Sequence, residues 1–295
     1  MGESGELQAY VNGQFMSHQQ AVEELQGTDV ESTGGFYDAE RTFNGQVFKL
    51  RQHLERLYRG LDHANIDPKT SLEEMEANTL RLLEANRSLL EPGHEFTITQ
   101  VVSQVPSPTP DGEPRVNVVI FCRLLDFSSF AGGYVRGVRV VTPITYVAPK
   151  GSSTETGQQV LTLMTDSEGS ITECAGANFM FVRDGRIMLP DRRNVLPGVS
   201  MQTVLYLAKS LGLAVDEDTY SILDVYLAEE AFVSSTRYCM LPVATLNGYR
   251  LSDELPGPIT RWLLEAWREM VGIDFVQQAL DHLPPDNIEA ASEDV

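Results

Sequence analysis

The sequence predicts an α+β protein with a small first lobe and a larger second lobe. Short strand patterns alternate with two helical patterns in the first part of the chain, and an Asp-Gly turn between two apolar runs follows later. A length of 295 residues is sufficient for two hydrophobic cores. We place the first lobe at 1–130, the second at 131–275, and an acidic, disordered tail poor in apolar residues at 276–295.

Two helices and a strand pair are predicted in the first lobe. The spacing of Leu50, Leu54 and Leu57 predicts a helix over 47–60. A second apolar spacing predicts a helix over 71–90, with Ser71 as its cap before two acidic residues. The runs Glu95 to Val105 and Arg115 to Leu125 read as two strands joined by a loop rich in proline and glycine.

The second lobe contains a predicted hairpin followed by a helix. The apolar runs Asn178 to Val182 and Arg186 to Leu189 flank Asp184-Gly185, a strong short-range hairpin signal. A turn at Pro197-Gly198 then leads into an apolar-periodic segment that predicts a helix start near Ser200. Such a start offers backbone N–H groups and a hydroxyl, which suit an anion such as a phosphate.

The net charge argues against two classes of binding partner. A net charge of −20 argues against nucleic acid and against an anionic membrane surface, because both require a basic face. The N-terminal residues lack an apolar core of signal-peptide length, and the chain has no run of 18 apolar residues. We therefore expect a cytoplasmic protein whose partner is a small molecule.

The cysteines and histidines do not indicate a metal or disulfide framework. Three cysteines, an odd number, are scattered without ligand spacing, and the five histidines form no cluster along the sequence. We expect no structural metal and no disulfide.

Several short motifs occur in a fixed order along residues 8 to 275. They are YVNGQF from Tyr10, GGFYDAERTFNG from Gly34, FKLRQHLERL from Phe48, the segment around Glu173, LAEEAFVSST from Leu227, LPV from Leu241 and GPIT from Gly257. In this order they resemble the class IV aminotransferases. These are the fold type IV pyridoxal-phosphate enzymes, which include branched-chain, D-amino-acid and (R)-amine aminotransferases and aminodeoxychorismate lyase.

The resemblance implies a fold, a cofactor and an assembly. The expected architecture is the two-lobed fold type IV PLP-enzyme architecture, with a small α/β lobe and a larger lobe built on a β-barrel-like sheet with helices. The expected cofactor is pyridoxal 5'-phosphate, and the expected assembly is a homodimer, because the family builds its site at a subunit interface.

Pyridoxal-phosphate chemistry requires a lysine, an acid beside the pyridine nitrogen, and donors for the phosphate. Carried over from the family pattern, Glu173 is the acid, because a carboxylate pairs with the protonated ring nitrogen. Arg56 takes the position of the phosphate-contacting arginine, which suits its permanent charge and fork geometry. The remaining cofactor-binding candidates supply backbone N–H and hydroxyl groups: Val199, Ser200, Ser235 and Thr236. One departure is Met201, where family members usually place arginine.

Lys150 is the catalytic candidate, because the other three lysines lie in an early helix, a loop and an exposed helix face. It would form the Schiff base with the cofactor. The segment that follows it is polar and contains glycine, and it leads directly into a strand before Glu173. The family usually has a helix and a longer gap there, so loss of the covalent anchor is the competing interpretation.

The motifs identify substrate-binding residues less specifically than cofactor-binding residues. The family lines its pocket with the first-lobe strand, which implies Phe36 and Tyr37 as lining residues and Arg41 or Arg123 as a partner for a substrate carboxylate. The arginine that branched-chain enzymes carry in the strand 96–100 is absent, since that stretch reads FTITQ. Specificity therefore stays open.

Three hypotheses follow. The first is an aminotransferase that moves an amino group between an amino acid or amine and a 2-oxo acid. The second is a lyase of the aminodeoxychorismate type, which shares the site and eliminates pyruvate. The third is a non-catalytic relative that keeps the fold after losing the lysine segment.

Overall fold

The structure is a computed structural model that describes residues 6–25, 35–105, 114–143 and 159–284. The chain divides into two compact units, Met1–Leu125 and Asp126–Val295. Each unit has its own sheet.

The described residues of the first unit form six strands and three α-helices. In chain order they are β1 Gln8–Val11, β2 Gln14–Ser17, α1 His18–Glu24, β3 Phe36–Phe43, β4 Gln46–Val47, α2 Leu50–His63, α3 Leu72–Asn86, β5 Phe96–Val105 and β6 Arg115–Leu124. The sheet order is β2-β1-β6-β5-β3-β4, and all of its pairs are antiparallel. The predicted strand pair of the first lobe is confirmed as β5 and β6.

Helices α2 and α3 cover one face of this sheet. Their buried leucines pack with strand residues such as Ile98 and Ile120 in the larger core of the unit. Helix α1 covers a smaller core on the other face, where Ala21 meets Val119 and Phe121. The sheet thus buries apolar side chains on both faces, as a mixed α+β layer does.

Local sequence signals account for the helix starts. Ser71 forms the predicted cap of α3: its hydroxyl accepts from the Glu74 amide at 3.2 Å, and the Glu74 carboxylate accepts from the Ser71 amide at 2.8 Å. The helix predicted over 47–60 begins instead at Leu50. Residues 46 and 47 pair with β3, and Lys49 adopts a left-handed φ of 53°, which delays the first helical turn.

The second unit carries nine strands and five helices among its described residues. In chain order they are α4 Gly133–Arg136, β7 Val138–Val141, β8 Val160–Thr165, β9 Ile171–Cys174, β10 Asn178–Arg183, β11 Arg186–Pro190, α5 Val199–Ser210, β12 Val215–Asp218, α6 Ile222–Val225, β13 Glu230–Ser235, β14 Cys239–Leu246, β15 Tyr249–Arg250, α7 Pro258–Val271 and α8 Phe275–Leu280.

The sheet of the second unit curls. Its strand order is β12-β11-β10-β13-β14-β7-β8-β9, with β15 beside β14. Strand β9, at one end of this path, also contacts β10 and β11 near the other end. Helices α5 and α7 pack on β13 and on each other. Residues on both faces of β10 are buried, Met180 on one face and Phe181 on the other among them.

The predicted hairpin is confirmed as β10 and β11. Arg183 pairs with Arg186, and the two residues between them, Asp184 and Gly185, have φ of 52° and 68°. Positive φ at both central residues is the type I′ conformation that an Asp-Gly pair favours. The predicted helix after Gly198 is also confirmed, as α5.

Two boundaries in the structure differ from the predicted ones. The second unit begins at Asp126 and not at 131, because Phe127 and Phe130 are buried and the Phe130 ring lies 6.1 Å from the Tyr238 ring. Tyr134, which follows, is also buried, and its hydroxyl donates to the Tyr238 carbonyl at 2.6 Å. The predicted disordered tail, 276–295, begins within α8, where Phe275 and Ala279 are buried. Apolar side chains at the spacing of one helical turn anchor this segment against the unit. Residues 285–295 lie outside the described residues.

No helix in the described part of the chain is both long and apolar enough to cross a bilayer.

Candidate functional site

Glu173 lies in the short strand β9, just before β10. Its Oε2 accepts from the Asn178 side-chain amide and from the Leu196 backbone amide, both at 3.0 Å. Two N–H donors on one carboxylate oxygen hold its position. The half-buried carboxylate is thus fixed next to the turn that starts α5.

Asn178 connects Glu173 to the start of α5. Its amide also donates to the Leu196 carbonyl at 2.9 Å. Gly198, the N-cap of α5, lies so close that a Cβ at this position would be 2.1 Å from Asn178 Oδ1. Only glycine fits there without a shift. The predicted phosphate contacts Val199 and Ser200 follow as the first residues of α5, and both are buried.

The end of β13 reaches the same edge of the sheet. Asn178 pairs with Ser234 across β10 and β13, so Ser235 and Thr236 follow beside the start of β10. The Ser234 hydroxyl is buried and has no hydrogen-bond partner among the residues the structure describes.

A hydrogen bond from Tyr134 holds the turn that follows β13. The Tyr134 hydroxyl donates to the Tyr238 carbonyl, as described above. Arg237 donates to the Ser129 hydroxyl at 2.7 Å. In the second unit, the structure therefore brings five predicted cofactor residues to one sheet edge: Glu173, Val199, Ser200, Ser235 and Thr236.

Arg56, in the first unit, lies in α2 and is paired with Asp38 of β3. Arg56 Nε donates to Asp38 Oδ2 at 2.7 Å, and Nη2 donates to Oδ1 at 2.6 Å. His53 Nδ1 lies 2.8 Å from the same Oδ1. Burial lowers the pKa of His53, so the imidazole is neutral and its Nδ1–H is the donor. Although burial opposes it, these hydrogen bonds hold the pKa of Asp38 below its usual value.

His53, which no sequence spacing links to other possible ligands, lies in a buried polar cluster. Ligand atoms of Asp38, Glu40 and His53 lie within 4.8 Å of one another, all buried. Burial raises the pKa of Glu40 well above its usual value, and Glu40 accepts from the Gln100 amide at 2.5 Å. Asp38 already accepts hydrogen bonds on both oxygens. The cluster is therefore a hydrogen-bond network around Arg56.

The predicted substrate residues divide between the two faces of β3. Phe36 shares the α2 face, since a Cβ on Gly60 would lie 3.2 Å from its ring. Tyr37 and Arg41 share the opposite face, because successive strand residues alternate. Phe36 and Tyr37 therefore cannot both line a pocket on one face. Tyr37 is 71% exposed, whereas Arg41 is buried with its guanidinium over the Phe43 ring.

The catalytic candidate Lys150 lies outside the described residues. Lys49 is half-buried beside Phe48, Lys69 pairs with Asp67 at 2.8 Å, and Lys209 is exposed near the end of α5. The role of Lys150 stays a prediction.

Sequence reasoning missed two positioning side chains, Asn178 and Asp38. Asn178 is the first residue of an apolar strand. A polar residue at a position predicted to be buried needs a hydrogen-bond partner, so the sequence could have indicated a positioning role for Asn178. Asp38 likewise interrupts the apolar pattern of β3, but its pairing with Arg56 depends on how α2 packs on the sheet.

The family model described as amino-transferase class IV matches residues 35–246. Among curated proteins, the chain is 24% identical over 285 residues to a D-alanine aminotransferase of Listeria monocytogenes, covering 90% of this chain and 96% of that protein. It is 25% identical over 288 residues to a D-alanine aminotransferase of Staphylococcus aureus, covering 89% and 97%.

Solved structures give the same architecture. The branched-chain amino acid aminotransferase of Thermobaculum terrenum in its PLP form superposes with a TM-score of 0.76 at 21% identity, covering 94% of this chain and 97% of that one. The Escherichia coli branched-chain enzyme gives 0.72 at 21% identity, covering 91% and 94%. These likenesses confirm the predicted α+β, fold type IV architecture.

The family model spans the first-unit strand and helix motifs, the Glu173 edge and the end of β13, which are most of the segments that suggested the resemblance; the motifs at Tyr10 and Gly257 lie outside the matched range. The chain belongs to the class IV aminotransferase family, and the prediction of an aminotransferase-type enzyme is confirmed.

Proposed function

We propose that this protein binds pyridoxal 5'-phosphate and transfers an amino group between an amino acid or amine and a 2-oxo acid. The observation that carries the proposal is the Glu173 carboxylate, held by Asn178 and the Leu196 amide beside the uncapped start of α5. An anionic group and a phosphate-binding helix start at one sheet edge match the two ends of this cofactor.

The residues present fit the cofactor. Gly198, the N-cap residue of α5, has no side chain that could cover or cap the N–H groups that begin the helix. The buried Ser234 hydroxyl, which lacks a partner among the described residues, adds a polar group next to Ser235 and Thr236. From the first unit, the resemblance adds Arg56 as a phosphate contact.

Each residue has a distinct role in the proposal. When bound, the cofactor supplies an electron sink for the bonds at the substrate carbon. Glu173 keeps the ring nitrogen protonated by charge pairing. Lys150 forms the covalent link and moves the proton at the substrate carbon. Val199, Ser200, Ser235 and Thr236 bind the phosphate. Tyr37 and Arg41, which share one face of β3, are the proposed substrate contacts of that strand.

Glu173→Gln tests the proposal. We expect amino transfer to fall about 100-fold, because a neutral amide does not hold the ring nitrogen protonated. Affinity for pyridoxal phosphate should change by less than about tenfold, because the phosphate contacts remain. The measurements are a cofactor titration followed by absorbance, and a single-turnover reaction with an amino donor.

Glu168→Gln is the matched control, because Glu168 is an exposed acid in the turn before β9. It should leave both measurements unchanged. A Glu173→Gln protein as active as the parent would refute the assigned role.

A donor panel separates the three hypotheses. D-alanine and branched-chain L-amino acids, each with a 2-oxo acid acceptor, test transamination. Pyruvate release from aminodeoxychorismate without an acceptor would instead support the lyase. A protein that binds no pyridoxal phosphate at all would support the non-catalytic relative. A second subunit is part of the proposal, and the molar mass in solution tests it.

A further inference from the structure

Among the described residues of the first unit, the hydrogen bonds of Arg56 involve one edge of its guanidinium group. Nε and Nη2 form two parallel hydrogen bonds with the Asp38 carboxylate, the bidentate geometry of a strong Arg–carboxylate pair. In the described part of the chain, Nη1 has no hydrogen bond, and the side chain is 18% exposed. The guanidinium plane is therefore fixed while a second donor edge remains available.

Asp38 is itself fixed on all sides. Its Oδ1 accepts from Arg56 Nη2, from His53 Nδ1 at 2.8 Å and from the Ala39 amide at 2.9 Å, while Oδ2 accepts from Arg56 Nε. Its side chain is 2% exposed. A carboxylate held in this way restricts the orientation of the arginine that binds it.

We propose that Asp38, held by His53, is a positioning residue that presents the second edge of Arg56 to a phosphate group. The inference rests on the proposed function, in which Arg56 binds the cofactor phosphate. An unrestrained arginine samples many rotamers and loses that freedom on binding, whereas a preset one does not. A planar fork held at one edge can make a second bidentate contact with two phosphate oxygens.

The negative charge of Asp38 has the opposite effect on phosphate affinity, because it offsets the positive charge of Arg56 that attracts a phosphate. The two parallel hydrogen bonds from Arg56 to a carboxylate that is 2% exposed fix the guanidinium plane, and we expect loss of this constraint to be the larger effect. Loss of Asp38 should therefore weaken phosphate binding, whereas tighter binding would show that the charge effect is the larger one.

The test compares pyridoxal phosphate with pyridoxal, which lacks the phosphate, as ligands of the full chain. For Asp38→Asn we expect a Kd for pyridoxal phosphate about tenfold higher and an unchanged Kd for pyridoxal. In a double-mutant cycle, Asp38→Asn should add nothing to Arg56→Ala, because Asp38 acts through Arg56. A general structural defect would instead weaken both ligands and add to the effect of Arg56→Ala.

Arg56→Lys provides a second variant that does not depend on the folding of Asp38→Asn. It keeps the charge and loses the fork, so a similar tenfold loss is expected. Arg51→Gln is the control: Arg51 lies on the same helix, where it binds Glu73 and Glu76 at the surface. It should bind both ligands as the parent does.

The outcomes separate this inference from the proposed function. Unchanged or tighter pyridoxal-phosphate binding by Asp38→Asn, or an unchanged affinity in Arg56→Lys, overturns the positioning role while the function stands. A parent protein that binds no pyridoxal phosphate overturns both.

Discussion

Lys150→Ala should reduce amino transfer by about 1000-fold or more, because it removes both the covalent link and the base that moves the substrate proton. Affinity for pyridoxal phosphate should persist, because charge pairing with Glu173 and the phosphate contacts do not involve this lysine. The purified parent protein with cofactor should absorb at the violet edge of the visible range. The variant should show the absorption of the unlinked cofactor in place of that band.

The chain offers matched controls, since it contains only three other lysines. Lys69→Ala removes a surface pair with Asp67, and Lys209→Ala removes an exposed side chain of α5. Lys49→Ala is the sharper control, because burial lowers the pKa of Lys49 and so gives it some of the character of a reactive amine. All three should keep the band and the activity. If Lys49→Ala lost both the band and the activity while Lys150→Ala kept them, Lys49 and not Lys150 would be the catalytic lysine.

Glu230→Ala should lower the free energy of unfolding by about 3 kcal/mol. Glu230 is a buried residue of β13, and its carboxylate accepts from the Ile259 amide at 2.9 Å and from the Thr260 amide and hydroxyl at 2.9 and 2.7 Å. It therefore caps the start of α7 from a neighbouring strand. Alanine would leave the buried Thr260 donors and the half-buried Ile259 amide without this acceptor, and it would remove a negative charge from the positive end of the helix.

Urea unfolding of the full chain measures this effect. Glu229→Ala is the matched control, because the neighbouring carboxylate is exposed and its hydrogen bonds with described residues come from the Asp184 and Gly185 amides in a surface turn. Its cost should be below about 1 kcal/mol. Equal costs for the two variants would refute the capping role.

Gly257 provides an independent check on the same contact. A Cβ at this position would lie 2.3 Å from Glu230 Cδ, so Gly257→Ala should destabilise the parent protein. In the Glu230→Ala background the clash is absent, and the same substitution should cost less. Additive costs would mean that the two residues do not oppose each other.

Features that depend on neighbouring residues could be predicted from the sequence. The Asp184-Gly185 turn, the Ser71–Glu74 capping box and the leucine spacing of α2 each involve residues a few positions apart, and the structure has all three. The start of α2 was misplaced by three residues, because strand pairing and the left-handed backbone at Lys49 compete with the helical pattern there.

In the candidate site too, the sequence indicated some residues, and only the fold revealed the others. The resemblance singled out Glu173 and Arg56, but not the groups that hold them. Arg56 binds Asp38, 18 positions away, and Glu173 binds the Leu196 amide, 23 positions away. Neither spacing leaves a periodic signal, since each pair meets only when a helix packs on a sheet or a sheet curls back on its own turn.

By itself, the sequence determined the α+β class, the hairpin, the helix caps and the family, because turn chemistry and apolar periodicity act within a few residues of the chain. Only the tertiary structure decided that Asn178 joins Glu173 to α5, that Asp38 and His53 fix Arg56, and that Glu230 caps α7. These contacts satisfy buried charges and N–H groups, and which partner satisfies each is chosen by packing.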